Sequence, residues 1–129
     1  MERCTFMLRR DLKLPERTPD TEYSIPFLQG MVDRMAVSFA KYGPVAEAYP
    51  GKVDALESLR VRLEKYAATG NTEYLMDAAN FAMIEFMRPA HPRAHYRPTT
   101  ERESPGRTWR PDEFGDAEIS QRANDGSAA

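Results

Sequence analysis

Apolar residues recur at helical spacing in three segments of the chain. In the first segment, residues 24–43, they lie four residues apart on one helix face: Phe27, Met31, Met35 and Phe39. Ser24 is the expected N-cap, since its hydroxyl can accept a hydrogen bond from the first turn. Gly43 is the expected end, because glycine tolerates the backbone of a helix terminus and Pro44 cannot continue the helix. The pattern therefore predicts one helix over this segment.

The same spacing predicts two further helices, over residues 52–70 and 71–88. Gly70 is expected to end the earlier of the two, and Asn71 or Thr72 to cap the later. A connection this short predicts that the two helices form an antiparallel hairpin.

Proline and glycine divide the rest of the chain. Residues 1–22 are predicted to be an extended arm and residues 44–52 a loop between helices. Residues 89–129 contain half of the ten prolines and few aliphatic side chains, which predicts an extended or disordered tail rich in proline and arginine. The fold class is therefore all-α, a bundle of about three helices in a domain over residues 23–88.

The third predicted helix is apolar around most of its circumference, as its sequence NTEYLMDAANFAMIEFM shows. A helix of this kind is normally buried in a larger core than a three-helix unit provides. Pairing of two chains would complete such a core. We therefore expect a homodimer.

Composition limits the classes of partner and compartment. The 129 residues carry a formal net charge of −2, so no overall charge attracts the chain to nucleic acid or to a membrane surface. No apolar run reaches the roughly 18 residues of a membrane span. Cys4 is the single cysteine, which excludes an internal disulfide and favours the reducing cytoplasm.

Acidic side chains follow one line on each helix of the predicted hairpin. The later helix carries Glu73 and Asp77, with Asn80 one turn further on. The earlier helix carries its own set: Asp54, Glu57 and Glu64. Carboxylates that face each other across a hairpin repel unless a cation joins them, and Mg²⁺ prefers oxygen ligands. The alternative is an ordinary solvated surface, since acids and bases alternate on the earlier helix.

These motifs resemble the MazG-like all-α nucleoside triphosphate pyrophosphohydrolases. That family has two acidic pairs on consecutive helices, and this chain has DALE (Asp54, Glu57) followed by EYLMDAAN (Glu73, Asp77, Asn80). The resemblance implies Mg²⁺-dependent cleavage of a nucleotide between its α- and β-phosphates, in a dimer or tetramer.

The resemblance also implies roles for individual residues. Mg²⁺ would be bound by Glu57, Glu73 and Asp77, and Asp54 or Glu64 would orient or deprotonate the attacking water. The expected contacts to the nucleotide come from four further side chains: Asn80, Lys52, Arg60 and Lys65.

Two other functions fit the same sequence. One is a small non-enzymatic interaction protein of phage type, in which the helices dimerise and the tail binds a partner. The other is a nucleotide sponge that binds without turnover.

Overall fold

The structure is a computed structural model that describes residues 12–13 and 15–108. After a 3-10 turn, Asp20–Glu22, come four helices: α1 (Ile25–Tyr42), α2 (Val45–Ala48), α3 (Ala55–Thr69) and α4 (Glu73–Met87). The described residues contain no strand, and the predicted all-α class is confirmed. None of the described helices combines the length and apolar composition that a membrane span requires.

Helix α1 begins and ends at the residues that the sequence predicts. The Ser24 hydroxyl accepts a hydrogen bond from the backbone N–H of Phe27 at 3.0 Å, as expected of an N-cap. Gly43 follows the last turn with φ 87°, a backbone angle that side chains with a Cβ rarely adopt. Local chemistry alone therefore sets both ends of α1.

Helices α3 and α4 form the predicted hairpin and pack along each other. Gly70 ends α3 in the left-handed conformation, with φ 75° and ψ 6°. The side-chain oxygen of Asn71 then accepts the backbone N–H of Glu73 at 3.0 Å. Asn71 therefore satisfies a free donor at the start of α4, whereas the Thr72 side chain makes no cap hydrogen bond.

Helix α2 lies in the segment that the sequence predicts to be a loop. It is a single turn that begins after Pro44, whose carbonyl accepts the backbone N–H of Glu47 at 3.1 Å. Four residues are too few to show a helical period, so the prediction of a loop misses this turn.

The core lies where α4 packs between α3 and α1. The buried apolar residues of this core are Ala55, Ala78 and Ile84. Gly30 allows α1 to approach α4 closely, because a Cβ at this position would lie 2.6 Å from the sulfur of Met76. The core formed by the described residues is therefore small, and many of their large apolar side chains are exposed.

The described parts of the two termini contain little regular structure. Residues 89–108 form turns without a helix or strand, and their side chains are exposed. Most of the predicted N-terminal arm, including Cys4, lies outside the described residues, as does the tail from Trp109 onwards.

Candidate functional site

Asp77 joins three helices at the centre of the bundle. From α1, the Nε of Arg34 donates to one Asp77 oxygen at 2.6 Å, and from α3 the Nε of Arg62 donates to the other at 3.4 Å. Arg34 also donates to Glu73, one turn earlier on α4. The Asp77 side chain is only 19% exposed, so these pairs are partly shielded from water.

The two guanidinium groups neutralise the acidic line of α4. The hydrogen bond from Arg34 to Asp77 raises the pKa of Arg34, partial burial opposes this shift, and Glu73 adds to it. Arg34 therefore stays charged at any physiological pH. The repulsion that led us to expect a metal ion is relieved here by basic side chains of the same chain.

Asn80 lies three residues after Asp77 and is 6% exposed. Its amide nitrogen donates to the Met31 carbonyl on α1 at 3.0 Å. Its carbonyl oxygen is buried and has no hydrogen-bond partner among the described residues. An unpaired buried acceptor costs about 1–3 kcal/mol, so this oxygen is an unsatisfied polar group in the interior of the bundle.

A cavity of about 580 Å³ opens beside Asp77 and Asn80. Residues of α1, α2, α3 and α4, together with the segment between α2 and α3, form its wall. Four basic side chains line it: Arg34, Lys41, Lys52 and Arg62. Among the described residues, Asp77 is the single acidic one in the wall, although the whole chain carries a net charge of −2.

The remaining wall is apolar and aromatic. Phe81 lies under the Arg62 guanidinium, with 5.2 Å from the ring centroid to the guanidinium carbon, a cation–π distance that helps to hold Arg62 in place. Burial raises the pKa of Tyr49, and the positive charge of Arg62 partly offsets this rise. Tyr49, which lines the cavity, is therefore neutral at physiological pH.

The acids predicted on α3 lie elsewhere and are engaged locally. Arg60 pairs with Glu57 and Glu64 on the exposed surface of α3, and the hydrogen bond from Arg60 lowers the pKa of Glu57. The carboxylate of Asp54 is the N-cap of α3 and accepts the backbone N–H of Glu57 at 3.0 Å. These acids therefore make local structural contacts, and their catalytic role stays a prediction.

The predicted magnesium ligands do not form one site. Glu73 and Asp77 share Arg34, whereas Glu57 pairs with Arg60 on another surface. Within residues 12–13 and 15–108, no three acidic, histidine or cysteine side chains come together as a metal site would require. This donor set, as arranged, does not fit the ion.

The predicted substrate contacts divide into two pairs. Asn80 and Lys52 line the cavity, and Arg60 and Lys65 do not. Sequence reasoning missed the two arginines of the wall, Arg34 and Arg62. Only their position opposite the acidic line of α4 marks these two arginines, and that position depends on how the helices pack.

Comparison with protein-family models, curated proteins and solved structures finds no match to this chain. The site is therefore interpreted from its own geometry and chemistry.

Proposed function

We propose that this chain binds a phosphorylated small molecule in the cavity beside Asp77 and Asn80, with nucleotides as the leading class. The observation that carries the proposal is the charge of the wall, where four basic side chains face one carboxylate in a chain that is acidic overall. Such a local excess of positive charge attracts and holds anions.

Lys41 and Lys52 are better placed to bind a phosphate than the two arginines of the wall. Arg34 and Arg62 are already paired with Asp77. Lys41 and Lys52 make no ion pair with any described residue, so their charges are available to a ligand. An ammonium group paired with a phosphate contributes a charge-assisted hydrogen bond, which is stronger than a neutral one.

The rest of the wall suits the body of a nucleotide. Phe81 and Ile84 supply an aromatic and an aliphatic surface, and Asn80 is a polar neutral residue of the same wall. A volume of about 580 Å³ lies in the range of small-molecule sites, which hold 300–1,000 Å³.

Hydrolysis of the bound nucleotide with Mg²⁺ is the further hypothesis that the resemblance to MazG-like proteins implies. The present pairing of Asp77 with Arg34 and Arg62 favours binding without turnover. Incubation with a panel of nucleoside triphosphates and Mg²⁺, followed by detection of pyrophosphate, decides between an enzyme and a binding protein. Pyrophosphate release that persists in Asp77→Ala would exclude Asp77 from the chemistry.

Binding is tested by calorimetry with a panel of nucleoside mono-, di- and triphosphates on the full chain. We expect Lys52→Ala and Lys41→Ala each to weaken the affinity about tenfold, the loss of one charged hydrogen bond of about 1.4 kcal/mol. Lys65→Ala is the matched control, because Lys65 is exposed on α3 and outside the cavity. No binding by any phosphorylated compound, or an equal loss in Lys65→Ala, would refute the proposal.

A further inference from the structure

Helix α1 has a second apolar surface that the described elements leave largely exposed. Its residues alternate three and four apart through the whole helix: Ile25, Leu28, Val32, Met35, Phe39 and Tyr42. This is the a and d spacing of a heptad repeat, by which one helix pairs with another. We call this set the α1 seam.

The α1 seam is distinct from the surface that α1 packs on α4. Gly30, the Met31 carbonyl and Arg34 each contact α4, and none of them belongs to the seam. The residues at the a positions of the seam, Ile25, Val32 and Phe39, are instead largely exposed, with Val32 at 61% and Phe39 at 63%. Helix α1 therefore packs inward with one side and leaves an apolar stripe on another.

The exposed area is comparable with what a dimer needs. Four members of the seam are half exposed or more: Ile25, Val32, Phe39 and Tyr42. At about 200 Å² for a large side chain, their exposed parts sum to roughly 500 Å² per chain. A stable interface buries about 800 Å² per partner, so the seam supplies more than half of it before Leu28, Met35 and flanking residues contribute.

We infer that the α1 seam pairs with the α1 seam of a second copy of this chain. The same stripe on both partners is self-complementary, as a twofold dimer requires. The small core of a single chain adds to the argument, because pairing buries apolar side chains that the bundle leaves in water. An interface on α1 differs from the sequence-based expectation, in which pairing of two chains buries α4, the most apolar helix.

Pairing at the seam would also complete the cavity. Met35 and Tyr42 belong both to the seam and to the cavity wall, and Tyr42 is 75% exposed in one chain. A second copy seated on these residues lies against the cavity and restricts its access to solvent. This consequence rests on the proposed function, whereas the pairing itself does not.

The mass of the full chain in solution, measured by light scattering without ligand, tests the pairing. We expect twice the chain mass of 14.7 kDa for the unaltered protein and a monomer for Val32→Glu. Leu63→Glu is the matched control: Leu63 is an exposed leucine on α3 outside the seam, so this variant should remain dimeric. A monomeric unaltered protein, or a dimer lost in Leu63→Glu and kept in Val32→Glu, overturns the inference.

Cross-linking provides a second measurement that does not depend on a disruptive charge. In a Cys4→Ser background, Val32→Cys places a thiol at the middle of the seam, and Ala68→Cys places one at an exposed site on α3. A short bis-maleimide should link Val32→Cys chains in much higher yield than Ala68→Cys chains. A yield at Val32→Cys no higher than at Ala68→Cys overturns the inference. Neither experiment contains a nucleotide, so failure here is distinguishable from failure of ligand binding.

Discussion

Removal of the Asp77 carboxylate should destabilise the bundle more than removal of any other acidic side chain described. In Asp77→Ala, Arg34 loses its 2.6 Å hydrogen bond and Arg62 loses its 3.4 Å contact. Both guanidinium groups then lie beside each other at the α1–α3–α4 junction without their shared anion. Of the described residues, only Glu73 remains as an ion-pair partner of Arg34.

The size of the effect follows from the exposure of the pair. A hydrogen bond to a charged group contributes about 1.5–3 kcal/mol when shielded, and an exposed ion pair contributes about 0.2–1 kcal/mol. Asp77 is 19% exposed and Arg34 is 36% exposed, so the pair lies between these limits. We expect Asp77→Ala to lower the free energy of unfolding by about 2 kcal/mol, and Tm by roughly 10 °C for a domain of this size.

Urea denaturation followed by circular dichroism measures this loss, at one fixed protein concentration because dimerisation would shift the midpoint. A double-mutant cycle of Arg34→Ala and Asp77→Ala isolates the coupling energy, for which we expect about 1 kcal/mol. Glu57 and Arg60 form a matched reference pair that is exposed on α3. Their coupling should be about 0.3–0.5 kcal/mol, as for other helix-surface pairs.

The two cycles together can refute the reasoning. If the Arg34–Asp77 coupling is no larger than the Glu57–Arg60 coupling, partial burial does not strengthen the central pair. Asp77 would then not be the group that joins the three helices, and it would not hold Arg34 and Arg62 in the cavity wall.

Two further predictions concern the helix crossing and the cavity. Gly30→Ala should gain less than the about 1 kcal/mol that the better helix propensity of alanine provides, because its Cβ would meet the Met76 sulfur at 2.6 Å and this flexible side chain would have to move; in a Met76→Ala background the same change should stabilise by the full amount, and an equal gain in both backgrounds in urea denaturation would contradict the contact. Because burial raises the pKa of Tyr49, its neutral form contributes stability that is fully present below the ordinary pKa near 10 and is lost as pH rises through the raised value. The difference between ultraviolet titrations of the unaltered protein and of Tyr49→Phe isolates the ionisation of Tyr49, which should occur at higher pH than that of an exposed tyrosine. Arg62→Leu should raise the pKa of Tyr49 further, because the positive charge of Arg62 lowers it. A Tyr49 pKa at or below 10 would contradict the burial.

Much of the candidate site lay beyond the sequence because its partners come from distant positions. The acidic line of Glu73, Asp77 and Asn80 stands out in the sequence, but its chemistry depends on what faces it. Arg34 is 43 residues from Asp77 and Arg62 is 15 residues from it. With these two cations in place, the line reads as an ion-pair junction beside a basic cavity.

Short-range interactions explain why the helix ends were predictable. Ser24 caps α1, and Gly43 and Gly70 end helices, because each effect requires only the residue and its nearest neighbours. The role of Asp54 as an N-cap is equally local, yet the acidic pattern of α3 led to a catalytic interpretation instead. The same acidic residue can therefore be interpreted as a helix N-cap or as a catalytic carboxylate until its hydrogen bonds are known.

The sequence by itself determined that this chain is all-α, where α1 begins and ends, and that Gly70 ends α3, because periodicity and capping act within a few residues. Tertiary structure alone decided that Arg34 and Arg62 meet at Asp77, that four basic side chains share one cavity, and that most of the α1 seam is exposed. These features depend on how helices rotate and cross as they pack, and that choice is made by side chains far apart in the chain.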